Sequence, residues 1–284
     1  MRLLVGFDGS DGGRDALELT RALALAAEDG ASVLVVAVIP YGPLPVDFSE
    51  LGSKEAAAAE SLFEEARERL KGLEVQTRGF GGSSPAEAIT DLAEAEQGDL
   101  VVVGSPHRGA LGRALIGSVA ENLLHGSPCA VVVAPRGYAE MRHDPFRQIA
   151  VAYDGTPESK AALHRAEALA APSNEVIRIF TVVAPPVAIP GGIGYAPIDP
   201  PDPDRILTEG VNSVDSGLAA HGQRLDGPPA ATLAEACEDD VDLLVVGSRR
   251  YGPLMRVLLG SVSTQLVRMA PCPVLVVPRP AAPS

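Results

Sequence analysis

Apolar runs of strand length alternate with segments of helical period along the whole chain. LLVGF (3–7), ending at Asp8, precedes a segment in which Ala16, Leu17, Leu19, Ala22, Leu23 and Ala26 form a broad apolar stripe, so a strand and then a helix are predicted. SVLVVAVI (32–39) is a second strand, too continuously apolar for a sheet with one wet face. The Ala- and Glu-rich stretch 54–71 predicts a second helix, LEVQTRGF (73–80) a third strand and PAEAITDLAEAE (85–96) a third helix. DLVVVG, SVAENLLHG and CAVVVAP then read as strand, helix and strand. Apolar strands separated by helices predict a parallel sheet covered on both faces.

The pattern is written twice. Residues 104–136 align with 247–279 at a constant offset of 143, with 16 identities in 33 positions, among them Gly104/Gly247, Gly117/Gly260, Pro128/Pro271 and Cys129/Cys272. LLVGFDGS (3–10) pairs with IAVAYDGT (149–156) at an offset of 146. The boundary falls near 137–147, in GYAEMRHDPFR, which makes 1–140 and 147–284 the expected domains. The second half continues with VIRIFTVVA, a weak third strand near 219–225, DLLVVG and CPVLVVP. Its Pro- and Gly-rich stretch 184–204 is expected to be a loop or a lid, because proline supplies no N–H to a helix interior or a central strand.

Composition narrows the function classes. A length of 284 residues suits two domains of ~100–200 residues each, and 46% apolar residues suffice for their cores. With 37 acidic against 23 basic residues the net charge is -14, which argues against nucleic acid or an anionic membrane as the main partner and makes any anion site a local feature. No apolar stretch approaches the ~20 residues that span a bilayer, and the chain opens on a strand pattern, so a cytoplasmic location is expected. Cys129, Cys237 and Cys272 have no metal-ligand spacing, so neither zinc nor a disulfide framework is expected.

Against that charge, GSPHRGALGRALIGS (104–118) and GSRRYGPLMRVLLGS (247–261) are basic and free of acids. Each follows the fourth strand of its half, where an open α/β sheet presents its ligand crevice. Each closes on Gly-Ser and a helical segment, which places unpaired N–H groups and a positive dipole end at the loop's close. Arg108 and Arg113 in the first loop, and Arg249, Arg250 and Arg256 in the second, add cations suited to a phosphate chain. A plainer reading stays open: glycines that punctuate turns, serines that cap helices and solvated arginines.

Gly, two residues, a third position, nine residues and Gly-Ser after a VVVG strand, an Asp closing the first strand, and a final PCPVLVV strand together resemble the universal stress protein family in tandem form. The resemblance covers nearly the whole chain, twice. It implies an α/β fold of two doubly wound, parallel five-stranded sheet domains of the adenine nucleotide alpha hydrolase-like kind, binding ATP, with or without Mg. The fifth strands of the two halves would pair with each other, which leaves a further homodimer open. By position, Asp8 and Asp154 would face the ribose or a metal, and Val38 and Val182 would meet adenine through backbone groups. Gly104 and Gly247 would let the ribose lie close, while Gly117, Ser118, Val119, Gly260, Ser261 and Val262 would hold phosphates. The family's middle glycine is replaced by His107 and Arg250. If that position needs a positive φ, a side chain there costs on the order of 1 kcal/mol, which an imidazole or guanidinium turned toward the phosphates would offset. The implied function is a nucleotide-sensing stress regulator; the alternatives are a slow ATP hydrolase, or an ATP-independent scaffold should His107 and Arg250 block the loops.

Other motifs are weaker. GRALIGS (112–118) has P-loop glycine spacing without the lysine, and Met255 replaces its first glycine in the other half. The five histidines form no ligand set, and no nucleophile or general base is identified by spacing. Asp8 and Asp154 have plain turn or cap roles as their alternative.

Overall fold

The computed structural model describes residues 1–27, 29–39, 46–47, 53–81, 84–105, 117–141, 146–170, 176–185, 202–238, 240–248, 257 and 260–278. The first half runs β1 (Arg2–Gly6), α1 (Asp11–Leu25), β2 (Ser32–Ile39), β3 (Val46–Asp47), α2 (Ser53–Arg69), β4 (Glu74–Gly81), α3 (Pro85–Ala95), β5 (Leu100–Gly104), α4 (Ser118–Leu123) and β6 (Ala130–Ala134). The second runs β7 (Gln148–Ala152), α5 (Pro157–Ala170), β8 (Val176–Val183), α6 (Pro203–Ser213), β9 (Ala219–Asp226), α7 (Pro229–Ala236), β10 (Leu243–Gly247), α8 (Ser261–Met269) and β11 (Val274–Val277).

Among the described residues each half contains five parallel strands, as the alternation of elements predicts, and the two sets join edge to edge into one sheet. Its order is β3-β4-β2-β1-β5-β6-β11-β10-β7-β8-β9. The halves join where β6 and β11 pair antiparallel, with Val133 opposite Val274, Val132 opposite Leu275 and Val131 opposite Val276. The short β3, which the hydropathy pattern does not predict, lies antiparallel along β4 at one edge.

The apolar runs divide by alternation between two cores. Leu3, Val5, Val33, Val35, Leu100, Val102, Val132 and Leu275 belong to a cluster that packs under α1, α2, α5 and α6. Leu4, Leu34, Val36, Val101, Val131 and Val276 belong to the cluster under α3, α4, α7 and α8. With both faces covered, ligand access is left to the ends of the strands. Because β6 and β11 are antiparallel, the carboxyl ends of the two parallel sets point in opposite directions, and the two crevices open at opposite edges of the sheet.

The predicted loop 184–204 ends sooner than its prolines suggest. Pro203 is the first residue of α6, and Asp202 caps it by accepting from the N–H groups of Asp204 and Arg205 at 3.0 and 3.4 Å. Proline is tolerated there because the first helical N–H has no intrahelical partner. Between the halves, a 3-10 turn (Tyr138–Glu140) docks on α1: the N–H groups of Gly137 and Ala139 donate to the buried Asp15 carboxylate at 3.0 and 2.7 Å.

Candidate functional site

Two cavities lie at the carboxyl ends of the strands, one per half, and their linings correspond position by position. The first, of about 210 Å³, is lined by residues that include Asp8, Val38, Gly104, Gly117, Ser118 and Val119. The second, of about 710 Å³, has Asp154, Val182, Gly247, Gly260, Ser261 and Val262 in the same places. Each cavity thus gathers every candidate residue that the structure describes in its half. His107, Arg108 and Arg250 lie outside the described residues, as do Arg113, Arg249, Arg256 and the stretch 186–201.

Both carboxylates also hold a turn. The N–H and hydroxyl of Ser10 donate to Asp8 Oδ1 at 3.0 and 2.5 Å, and those of Thr156 donate to Asp154 Oδ1 at 3.1 and 2.5 Å. Ser10 and Thr156 in turn accept from the N–H groups of Gly13 and Ser159 at the starts of α1 and α5. The turn reading of the two aspartates therefore accounts for one oxygen of each. Both residues are exposed, and among the described residues Oδ2 of each accepts no hydrogen bond.

On the facing side, α4 and α8 begin at Gly117 and Gly260, which have extended backbone and no side chain with which to cap the helix. The first accepted helical bonds come from Glu121 N–H to Gly117 O at 2.8 Å and Thr264 N–H to Gly260 O at 3.0 Å. Among the described residues, the N–H groups of Ser118, Val119 and Ala120, and of Ser261, Val262 and Ser263, have no side-chain cap. Such amides at a positive dipole end suit an oxyanion, each contributing a charge-assisted hydrogen bond.

The cavity floor is a strand edge. Phe7 N–H donates to Val36 O and Tyr153 N–H to Phe180 O, both at 2.9 Å, and there β1 and β7 give way to their turns. Main-chain groups two residues further along a strand point the same way, so the N–H and C=O of Val38 and Val182 face the crevice, with no strand among the described residues on that side. Such an edge matches a planar heterocycle that offers one donor beside one acceptor. Gly104 and Gly247 form the adjoining wall, where the first turns of α1 and α5 approach: a Cβ on Gly104 would lie 1.8 Å from Gly12 O, and one on Gly247 2.8 Å from the main chain of Glu158.

Several lining residues escape the sequence reading. Gly12 and Gly13 of the first cavity become Glu158 and Ser159 in the second, Val36 becomes Phe180 and Ala120 becomes Ser263. The offset of 146 that pairs the first strands carries the signal for the first two pairs. Tyr153 also lines the second cavity; its hydroxyl donates to Glu209 Oε1 at 3.5 Å, and burial, then that carboxylate, raise the phenol above the ordinary range.

A model of the universal stress protein family matches residues 1–135 and again 145–278. A universal stress protein of Mycobacterium tuberculosis is 29% identical over 309 aligned positions, covering 98% of this chain and 100% of its own. One from Mycolicibacterium smegmatis is 30% identical over 256 positions, covering 84% of this chain and 81% of its own. The crystal structure of a universal stress protein from Archaeoglobus fulgidus shares the fold, with a TM-score of 0.67 at 23% identity over 98% of this chain and 96% of that one.

Proposed function

Because this chain belongs to the universal stress protein family, we propose that it is an adenine-nucleotide-binding regulator of the stress response, taking ATP as its ligand and carrying no dedicated catalysis. The observation that carries the reading is a threefold complementarity in one cavity: an unpaired strand edge, a carboxylate with a spare oxygen, and a helix start left without a side-chain cap. In this reading the main chain of Val38 and Val182 reads the adenine edge, and the ribose lies along Gly104 and Gly247 beside Asp8 and Asp154. Phosphate oxygens accept from the amides that follow Gly117 and Gly260, at Ser118, Val119, Ser261 and Val262. In the sequence that follows β5 and β10, His107 would offer an imidazole and Arg108 and Arg250 guanidinium groups suited to phosphate.

Among the described residues, no group of three or more His, Cys, Asp or Glu could hold a metal by itself. The donor set suits magnesium that arrives with the nucleotide, bound by one carboxylate oxygen of Asp8 or Asp154 together with phosphate oxygens and water. Residues 1–140 and 147–284 are the proposed domains, paired within one chain, and the cytoplasm is the proposed location. No helix among the described residues is long and apolar enough to cross a membrane.

Thermal unfolding tests the reading. ATP that binds only the folded state raises the melting temperature progressively as its concentration exceeds Kd. A melting temperature that is flat across ATP concentrations, with and without magnesium, contradicts it. Sustained phosphate release that disappears in Asp8→Ala and Asp154→Ala would make the protein an enzyme instead.

A further inference from the structure

The two cavities share a plan but not their dimensions or their charge. Small-molecule sites are commonly about 300–1,000 Å³. The C-terminal cavity, at about 710 Å³, falls inside that range, and the N-terminal one, at about 210 Å³, falls below it. The adjoining wall differs as well. In the first half the main chain of Gly12 rests directly against Gly104, and a Cβ on Gly12 would itself lie 2.4 Å from Ser105 O. In the second half Glu158 occupies the Gly12 position, and the approach to Gly247 is wider: a Cβ there would lie 2.8 Å from its nearest neighbour, against 1.8 Å on Gly104.

The helix starts differ too. α8 has nine residues and no acid in its first turn, whereas α4 has six and carries Glu121 there. Where the first half has Ala120 and Glu121, the second has Ser263 and Thr264. Ser263 Oγ accepts from Gly260 N–H at 2.9 Å and Thr264 Oγ1 donates to Gly260 O at 2.7 Å, so the glycine that begins α8 is pinned on both of its main-chain groups. A pre-ordered anion site binds more tightly than one that must be ordered by its ligand, and a carboxylate in the first turn opposes phosphate. The acids of the second half, Asp154 and Glu158, lie at the strand-end turn and at the start of α5, on the side of the cavity suited to donor hydroxyl groups such as those of a sugar.

We propose that the halves are unequal: the C-terminal cavity is the tight seat for a phosphorylated nucleoside, its acid side (Asp154, Glu158) taking the sugar and its α8 side the phosphates, while the N-terminal cavity binds the same ligand weakly. The inference rests on the nucleotide reading above. Its test is isothermal titration of the full chain with ATP in magnesium buffer, for the unmodified protein, Ser118→Asp and Ser261→Asp. Both serines are exposed first residues of helices, where aspartate favours the dipole, so unchanged melting of the unliganded variants verifies folding. The expected isotherm has one tight event per chain and a second at least about tenfold weaker. Ser261→Asp removes the tight event and Ser118→Asp the weak one. Two events of equal affinity, or loss of the tight event in Ser118→Asp, overturns the inequality and leaves the nucleotide reading standing. No heat with any of the three proteins overturns both.

Discussion

Gly12 and Gly104 touch main chain to main chain: a methyl group on Gly104 would lie 1.8 Å from the Gly12 carbonyl oxygen. The start of α1 therefore has no space to yield beside the end of β5, and Gly104→Ala must displace backbone rather than a side-chain tip. Overpacking of this kind costs about 1–3 kcal/mol, and a main-chain clash belongs at the upper end. Gly247→Ala, with its nearest atoms at 2.8 Å, should cost less. Denaturant unfolding of the two variants checks the order; equal midpoints would mean that the wider approach in the second half has no energetic counterpart.

Asp154 serves a turn with one oxygen and leaves the other for a ligand, and two substitutions separate those roles. Asp154→Ala strands the N–H and hydroxyl of Thr156 and should cost about 0.5–2 kcal/mol of stability together with nucleotide affinity. Asp154→Asn keeps an acceptor at Oδ1 and should melt like the unmodified chain while binding magnesium–ATP more weakly. Equal ATP affinity in Asp154→Asn and the unmodified chain would remove the carboxylate charge from the account.

The seam between the halves is a paired ladder of buried aliphatic side chains. Val132 and Leu275 sit opposite each other, both fully buried. Leu275→Ala should cost about 2–5 kcal/mol through lost burial and the cavity left behind. Leu275→Arg should also expose β6 and β11 as unpaired edges and cause concentration-dependent association, visible by light scattering. A monodisperse, normally melting Leu275→Arg protein would mean that the seam contributes little to holding the halves together.

Thiol ionisation gives a pH prediction. Burial pushes the Cys129 thiol from an ordinary 9.0 up to about 11, against the hydrogen bond from Ser127, and Cys272 moves in the same direction through its contact with Cys237 and its own burial. The unfolded thiol loses its proton near pH 9 and the folded one near 11, so the contribution is complete below pH 9 and is lost between 9 and 11. For Cys129 the loss amounts to about 1–3 kcal/mol. Cys129→Ala should flatten the decline of stability over that interval. Parallel pH profiles for the two proteins would contradict the assignment.

The central strands are legible in the sequence because both of their faces are buried, which produces runs such as SVLVVAVI. β9 is faint for the opposite reason: at a sheet edge, its AAHGQRLD alternates between exposed and half-buried positions and buries none fully. β3 is set by two cross-strand pairs with β4 that no periodicity announces. The prolines before α6 conceal the start signal Asp202-Pro203, a cap followed by a first-turn proline. At the site, the repeated glycines and the strand-end aspartates that the sequence singles out lie in the linings of the two cavities. The replacement of Gly12 by Glu158 is plain in the aligned halves, but its consequence appears only once folding sets those residues against Gly104 and Gly247.

The central claim is that a cavity ending on an uncapped helix start holds an adenine nucleotide. Equilibrium dialysis against radiolabelled ATP tests it most directly, with the unmodified chain compared to a Ser118→Asp, Ser261→Asp double variant that places a negative charge at both helix starts. Saturable uptake by the unmodified protein and its loss in a double variant that melts normally is the predicted result. No saturable uptake by the unmodified protein, or undiminished uptake by the double variant, would contradict it.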